Sequence, residues 1–351
     1  MKTAEEIILS DSAEVLKLSS CDLSNLREKH LYITGGTGML GKWLLELIAI
    51  LNKKEAMGIR VTVLSRNPRS FIAANPRLGK MPWLTFTEGD IRYLPELPFD
   101  VSHIIHAAAL TDRRLFASQP RSVGEVNVLG TMRLIDAANL LERVPKFILL
   151  SSCLVYGTQP WDIKQINEAF AGPLRSNDVN AIYAESKRFA ETLALCATSE
   201  NKLPVVTLRP FAVVGPYQSL ELPWAVTDFI RDSLTGGPIR IMGTGTTVRS
   251  ILYASDFAYW VLAATAKGKP RNTYNIGSPD AIDLISLANK IAGYCDPSPE
   301  IRTGIGQSKH RPNRLVPDVS HAIEDLGVDV TVSIDEAIRR SIQWNRLCRK
   351  K

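Results

Sequence analysis

The sequence contains no two cysteines close enough to share a site. Its five, Cys21, Cys153, Cys196, Cys295 and Cys348, are odd in number and far apart. None has Cys-x-x-Cys spacing, which argues against a disulfide framework and a zinc site, so reduced thiols in a cytoplasmic protein and no bound metal are expected. Long apolar runs are missing too. The longest, such as "LLELIAIL" from Leu44, falls well short of the ~20 residues that a membrane span needs. The opening "MKTAEEIILSDSAEVLKL" is too acidic and too poor in apolar residues for a signal peptide. No membrane partner is therefore expected. Nor is there a long block of one charge. The net +6 is scattered apart from short clusters such as the C-terminal "RLCRKK", which disfavours a nucleic-acid stripe and leaves anionic phosphorylated ligands as the better match.

What is present is an ordinary globular balance. Hydrophobic residues at 45% and charged residues at 22%, over 351 residues, suffice for one large domain or two smaller ones. Residues 3–18 show helical periodicity, with Ile7, Ile8, Val15 and Leu18 as expected core contacts. From "HLYITGG" onward, strand-like and helix-like segments alternate. "RVTVLSR", "VSHIIHAAA", "KFILLSS" and "PVVTLRPFAVVG" read as strands. "GKWLLELIAILNKK", "SVGEVNVLGTMRLIDAANLLER" and "AIYAESKRFAETLALCAT" read as helices. This alternation predicts an α/β fold, a doubly wound parallel sheet with helices on both faces. Beyond about residue 210 the pattern turns irregular, with two later helices in "AIDLISLANKIAG" and "SIDEAIRRSIQWNRL". The expected organisation is a leader over 1–29, a dinucleotide-binding domain over 30–210, and a smaller substrate-binding region over 211–351. Parts of that last region are expected to return to the sheet, and the leader to pack on the sheet edge or help form a dimer.

The first strand ends in "TGGTGMLG", with Gly35, Gly38 and Gly41 in a T-G-x-x-G-x-x-G pattern. One glycine permits a tight turn, one a close backbone approach to a pyrophosphate, and one close packing of helix on strand. The helix that follows presents free N–H groups and the positive end of its dipole. Thr37, Met39 and Leu40 complete this cradle. The second strand ends in Ser65 and Arg66 where an acidic residue would hold a ribose hydroxyl. Arg66 suits a 2′-phosphate, so NADP(H) is favoured over NAD(H). Asp90 and Ile91, in "EGDI", are placed at the adenine end.

Tyr183 and Lys187 lie four apart and share one helix face. A phenol titrates near pH ~10, and a neighbouring ammonium with a cationic nicotinamide behind it is expected to favour phenolate. Ser152 ends the preceding strand, and parallel neighbours deliver their ends to one edge of the sheet. Its hydroxyl is expected beside Tyr183.

Together, "TGGTGMLG", "GDI", "HAAAL", "EVNVLGT", "SSCLVYG", "YAESK", "LRPFAVVGPYQ", "VRSILYASDFA" and "RPNRLVPD" make the chain from about residue 30 onward resemble the extended short-chain dehydrogenases/reductases of the nucleotide-sugar epimerase/dehydratase family. The resemblance implies Tyr183 as catalytic base, Lys187 as its partner and Ser152 as the hydroxyl that orients substrate. It implies Ala107, Ala108 and Ala109 along the cofactor, Asn127 supporting that strand, and Arg249 and Arg314 gripping the diphosphate of a nucleotide sugar. Family analogy also implies a homodimer.

Two departures narrow the reaction. Cys153 and Leu154 replace the Asp-Glu pair of the family's 4,6-dehydratases, and Leu154 replaces the Glu of its sugar-acid decarboxylases. Ala212 stands where Asn often binds a phosphate. The resemblance then leaves epimerisation at C4 through a 4-keto sugar, narrowly ahead of an NADPH-dependent 4-ketoreductase. A binding protein without turnover is opposed by the intact Tyr183 and Lys187.

Overall fold

The computed structural model describes residues 3–174, 176–305 and 313–349. Six strands lie in the first 210 residues: β1 (His30–Thr34), β2 (Arg60–Ser65), β3 (Leu84–Glu88), β4 (His103–His106), β5 (Lys146–Leu150) and β6 (Val205–Pro210). The later strands are β7 (Ala212–Val214), β8 (Ile239–Met242), β9 (Val248–Arg249), β10 (Ile251–Tyr253), β11 (Thr273–Ile276), β12 (Ile282–Asp283), β13 (Ile301–Ile305) and β14 (Arg314–Leu315). β1–β6 and β11 form a seven-stranded sheet in the order β11-β6-β5-β4-β1-β2-β3. Every pairing in it is parallel. Chain direction across the sheet reverses between β1 and β4, and the crevice outside their carboxyl ends is where such sheets bind ligands. All five residues of β1 are buried, as expected for a strand covered on both faces. The remaining strands form small separate pairings, β10 with β7, β13 with β8, and β12-β9-β14.

The leader carries α1 (Ala4–Leu18), followed by α2 (Met39–Lys54), α3 (Pro68–Ala74) and α4 (Pro76–Gly79). Next come α5 (Arg113–Ser118), α6 (Pro120–Gly124), α7 (Gly130–Asn139) and α8 (Ile182–Glu200). The C-terminal part adds α9 (Ala225–Leu234), α10 (Ala254–Lys267), α11 (Leu284–Gly293), α12 (Ser320–Leu326) and α13 (Ile334–Arg349). α2 and α10 pack together on one face of the sheet. α7 and α8 bury Leu134, Ile135, Ala190 and Ala194 on the other, against Ile104, Phe147 and Leu149.

Several sequence expectations change here. The leader does not lie on the sheet edge: α1 packs across α2, α10 and α13 as an outer layer. Ile7, Ile8 and Val15 are buried, but Leu18, the last residue of the helix, is 56% exposed. An ion cluster holds α1 in place. Asp11, 3% exposed, accepts from Arg340 Nη1 at 2.8 Å and from the Tyr253 hydroxyl, and Arg340 also pairs with Glu14 and Glu336. The single helix expected over 122–143 is interrupted by a π-turn at Glu125–Leu129. The strand expected through "PVVTLRPFAVVG" divides at Phe211, so β6 stays in the main sheet while β7 pairs with β10.

The sequence pattern does not reveal α10, β3 or β11. Every residue from Ala254 to Ala266 is buried, so α10 has no polar stripe and no helical periodicity to read. β3, "LTFTE", is a short edge strand in which three of the five residues are polar. No helix among the described residues is long and apolar enough to cross a membrane, and all five cysteines are free thiols.

Candidate active site

The end of β1 turns so tightly that Gly35 adopts φ +75°, and a Cβ there would lie 2.7 Å from the carbonyl of Ala107 and 2.8 Å from the nitrogen of Ala108. The turn is therefore pressed onto the end of β4. Gly41 is equally constrained, since a Cβ would come within 2.2 Å of the Gly36 oxygen. Gly36, which the pattern reading passed over, is filled from the other side by Val63 at 2.8 Å. Gly38 differs: its would-be Cβ meets only the Gly35 oxygen, at 3.3 Å. It is exposed and begins α2 without a side-chain cap, which leaves the first-turn N–H groups open to an anion. Thr37, Met39 and Leu40 are half-buried around it, with Met39 and Leu40 packed on the core. An uncapped N-terminus above a turn with no room for side chains fits a dinucleotide pyrophosphate.

Along the edge of this cradle, Ser65 is buried and its Oγ accepts from Asn67 N at 3.2 Å. Arg66 is exposed beyond it, and its charge reaches Asp90. Asp90 is already held by Arg92 at 3.0 Å, which with its other hydrogen bonds keeps the carboxyl below its usual range. Ile91 is buried against Gly130, so its side chain serves the core. Ala107, Ala108 and Ala109 are half-buried at the end of β4, where Ala108 N donates to Thr34 Oγ1 at 3.2 Å.

Tyr183, Lys187 and Ser152 converge from α8 and the end of β5. Tyr183 is 6% exposed and its ring stacks on Phe116 at 4.8 Å and 12°. Ser152 Oγ accepts from Leu154 N at 3.1 Å, and its hydroxyl favours the ionised form of the nearby Tyr183 phenol. Lys187 Nζ donates to Leu150 O at 2.7 Å and lies 6.0 Å from the centre of the Tyr183 ring. The electrostatics differ from the sequence expectation. Burial raises the Tyr183 phenol well above its ordinary range, and neighbouring Cys153 adds to this, outweighing the Ser152 hydrogen bond. Burial also pulls Lys187 down to about 8. The polypeptide alone thus holds a neutral phenol beside an amine that gives up its proton far more readily than usual, because both groups lose their water. Cys153 sits between Tyr183 and Arg249, and burial pushes its thiol up to about 12.

Arg249 and Arg314 do not form one grip. β14 pairs with β9 so that Arg314 faces Val248 and Leu315 faces Arg249, which puts the two arginines on opposite faces of that small sheet. Arg314 Nε donates to Lys164 O at 2.9 Å, while Arg249 Nη1 donates to Val248 O at 2.8 Å. The "RPN" that opens the last motif falls largely outside the described residues. The cation whose charge acts on Arg249 is Arg113, which lies over Trp224 at 5.8 Å and one helical turn before Phe116. Arg113, Phe116 and Trp224 escaped the sequence reading because "DRRLF" carries no spacing signal. Ala212 is half-buried in β7 and has no group to offer a phosphate. Asn127 supports α8 rather than the strand directly: its Nδ2 donates to Ser186 Oγ at 2.9 Å, and Ser186 donates to Tyr183 O at 3.0 Å. Among the described residues no group of three His, Cys, Asp or Glu side chains is placed to hold a metal ion.

Residues 31–277 match the profile described as Epimerase, NAD dependent epimerase/dehydratase family. The chain is 27% identical over 310 residues to UDP-glucuronic acid decarboxylase 3 of Arabidopsis thaliana, covering 87% of this chain and 86% of the relative. It is 31% identical over 271 residues to dTDP-D-glucose 4,6-dehydratase of Bos taurus, covering 74% of each. The fold matches dTDP-glucose 4,6-dehydratase of Streptomyces venezuelae, solved with NAD bound, at a TM-score of 0.77 and 24% identity, covering 92% of this chain and 98% of that one. It also matches UDP-glucose 4-epimerase of Thermotoga maritima, solved with UDP-glucose, at 0.72 and 22%, covering 90% and 98%.

The buried lysine has a measurable consequence. Below about pH 8 the fold must bury an ammonium, whereas the unfolded chain keeps that proton up to pH ~10.4. Between these values the unfolded state binds more protons, so stability rises with pH. Lys187→Met is expected to raise Tm near pH ~6.5, with the gain shrinking toward pH ~10. A pH-independent gain, or none, would show that the ammonium is not strained by burial.

Proposed function

The chain belongs to the NAD dependent epimerase/dehydratase family, and from that membership we propose that it carries out redox chemistry at C4 of a nucleoside-diphosphate hexose, interconverting C4 epimers through a 4-keto sugar. The observation that carries this reading is the environment of Tyr183. Elimination of water or loss of carboxylate needs a second ionisable group beside the tyrosine. Here Cys153 is held protonated, and Leu154 is apolar and packed against the Tyr183–Phe116 cluster. What remains is a single phenol, a hydroxyl to orient the substrate and an amine.

In this reading Ser152 positions the C4 oxygen. Tyr183 accepts its proton during oxidation and returns one to the same oxygen after the ketone has turned its other face. A bound oxidised nicotinamide supplies the two-electron acceptor and the positive charge that the buried phenol needs to ionise. Lys187, anchored on Leu150 O, keeps a donor below the tyrosine. Arg249, with the charge of Arg113 acting on it, takes the diphosphate. The reaction consumes no net reductant, since the two electrons taken from C4 return to it.

The test is to incubate the purified protein with UDP-, dTDP-, CDP- and GDP-hexoses. Epimer formation without added reductant is expected. NADPH oxidation with a 4-keto sugar only would establish the reductase instead. Tyr183→Phe should lower turnover by at least ~100-fold with cofactor affinity nearly intact, and a near-normal rate would remove Tyr183 from the chemistry.

For the cofactor we favour NADP(H), because exposed Arg66 follows β2 at the position where an acidic residue would otherwise hold the ribose hydroxyl. Arg66→Ala should weaken NADP(H) binding ~10-fold and leave NAD(H) binding unchanged; equal effects on both would refute this preference. A homodimer is the assembly we propose, with a second copy over exposed Leu129, Met132, Phe189 and Leu195. Light scattering should then give twice the 38.8 kDa chain mass, and a single mass would exclude it.

A further inference from the structure

We propose that His106 is a positioning residue that ties the dinucleotide seat to the catalytic tyrosine, through a hydrogen-bond chain whose donor directions are all determined. The proposal rests on the reading of this cavity as an NAD(P) site. His106 ends β4 immediately before Ala107 and is 1% exposed. Its Nδ1 lies 2.7 Å from Thr34 Oγ1, and its Nε2 lies 3.0 Å from Thr131 Oγ1.

The neighbours set the polarity. Thr34 Oγ1 already accepts from Ala108 N at 3.2 Å, so its own hydrogen is free to point at Nδ1. Thr131 Oγ1 donates to Asn127 O at 2.6 Å, so it must accept from Nε2. The imidazole is thus the neutral Nε2–H tautomer. Burial, assisted by the charge of Lys187, pulls its pKa down to about 3, which keeps it neutral across the working range. From Asn127 the chain continues through Ser186 to the Tyr183 carbonyl. One end is the backbone of Ala108, beside the carbonyl that Gly35 touches, and the other is the backbone of the reacting tyrosine.

A histidine that merely filled the core would not need both ends in the site. The cost of the link is visible as well. Asn127 sits in the π-turn, and its Oδ1 is buried without a hydrogen-bond partner. Such turns collect at functional sites, and an orphaned buried oxygen is unfavourable unless something else requires the geometry. The π-turn lets one residue offer its carbonyl to Thr131 and its amide to Ser186. His106 then sets the spacing between the glycine cradle and Tyr183, a distance to which hydride-transfer geometry is sensitive.

Two substitutions separate the halves of the link. The amide of Asn falls where Nδ1 lies, and that of Gln falls where Nε2 lies. His106→Asn should keep the Thr34 contact, hold NADPH and NADH affinity within ~2-fold, and lower kcat by ~10-fold or more. His106→Gln should keep the Thr131 contact and weaken dinucleotide affinity by ~10-fold. Affinity is read from quenching of reduced-cofactor fluorescence, and kcat with whichever hexose nucleotide turns over. Equal effects in both variants, tracking their loss of Tm, would reduce His106 to a packing residue. The unmodified protein offers a second arm: ¹⁵N-histidine NMR should show His106 as the neutral Nε2–H form down to pH ~5, and an Nδ1–H or charged ring would overturn the chain. Failure of the parent protein to bind either dinucleotide would sink the cavity reading itself, whereas normal binding without the split sinks only the role of His106.

Discussion

The approach of Gly35 to the end of β4 is the constraint on which the rest of the site depends. A side chain at Gly35 would collide with the Ala107 carbonyl and the Ala108 nitrogen. Its absence lets the ends of β1 and β4 meet at the point where the sheet reverses direction. The same contact aims the uncapped start of α2 into the crevice and puts Ala107–Ala109 along its wall. β5, the neighbour of β4, then brings Ser152 to the same edge, and α8 covers it with Tyr183 and Lys187.

Burial governs the chemistry of that edge. Tyr183, Lys187 and Cys153 all lose solvent, and each moves toward its neutral form. A site built this way resists ionising by itself, and in the proposed reading a charged ligand is what makes it reactive. That arrangement suits a redox cofactor whose oxidised ring is cationic, since the phenol then ionises only when an acceptor for the electrons is present. The stacking of Phe116 on Tyr183 completes the exclusion of water.

Selectivity among the family's reactions rests on few side chains. Relatives at about this level of identity include decarboxylases and dehydratases, so the shared fold does not choose the reaction. In the proposed reading Cys153 and Leu154 do more to choose it, because neither offers a charge at neutral pH. The recognition side is rearranged in parallel. Arg314 is engaged with the Lys164 carbonyl, Ala212 is mute, and the cation acting on Arg249 comes from α5 after β4.

The glycine turn, the Tyr183–Lys187 spacing, the serine at the strand end and the alternation that predicts a parallel sheet are all legible in the primary sequence. They depend on local sterics and on contacts within one or two turns of chain, which short motifs encode. A return of later segments to the main sheet is expected from the sequence, but that β11 is the returning strand is not. α10 stays hidden because burial of every residue from Ala254 to Ala266 leaves no periodic trace. The placement of α1 on α2, α10 and α13 depends on contacts between distant segments. The direction of the Tyr183 pKa, the separation of Arg249 from Arg314, and the link from His106 to Asn127 were decided only by tertiary structure. Desolvation and hydrogen-bond polarity are set by every neighbour a group acquires on folding, and those neighbours come from segments up to hundreds of residues apart.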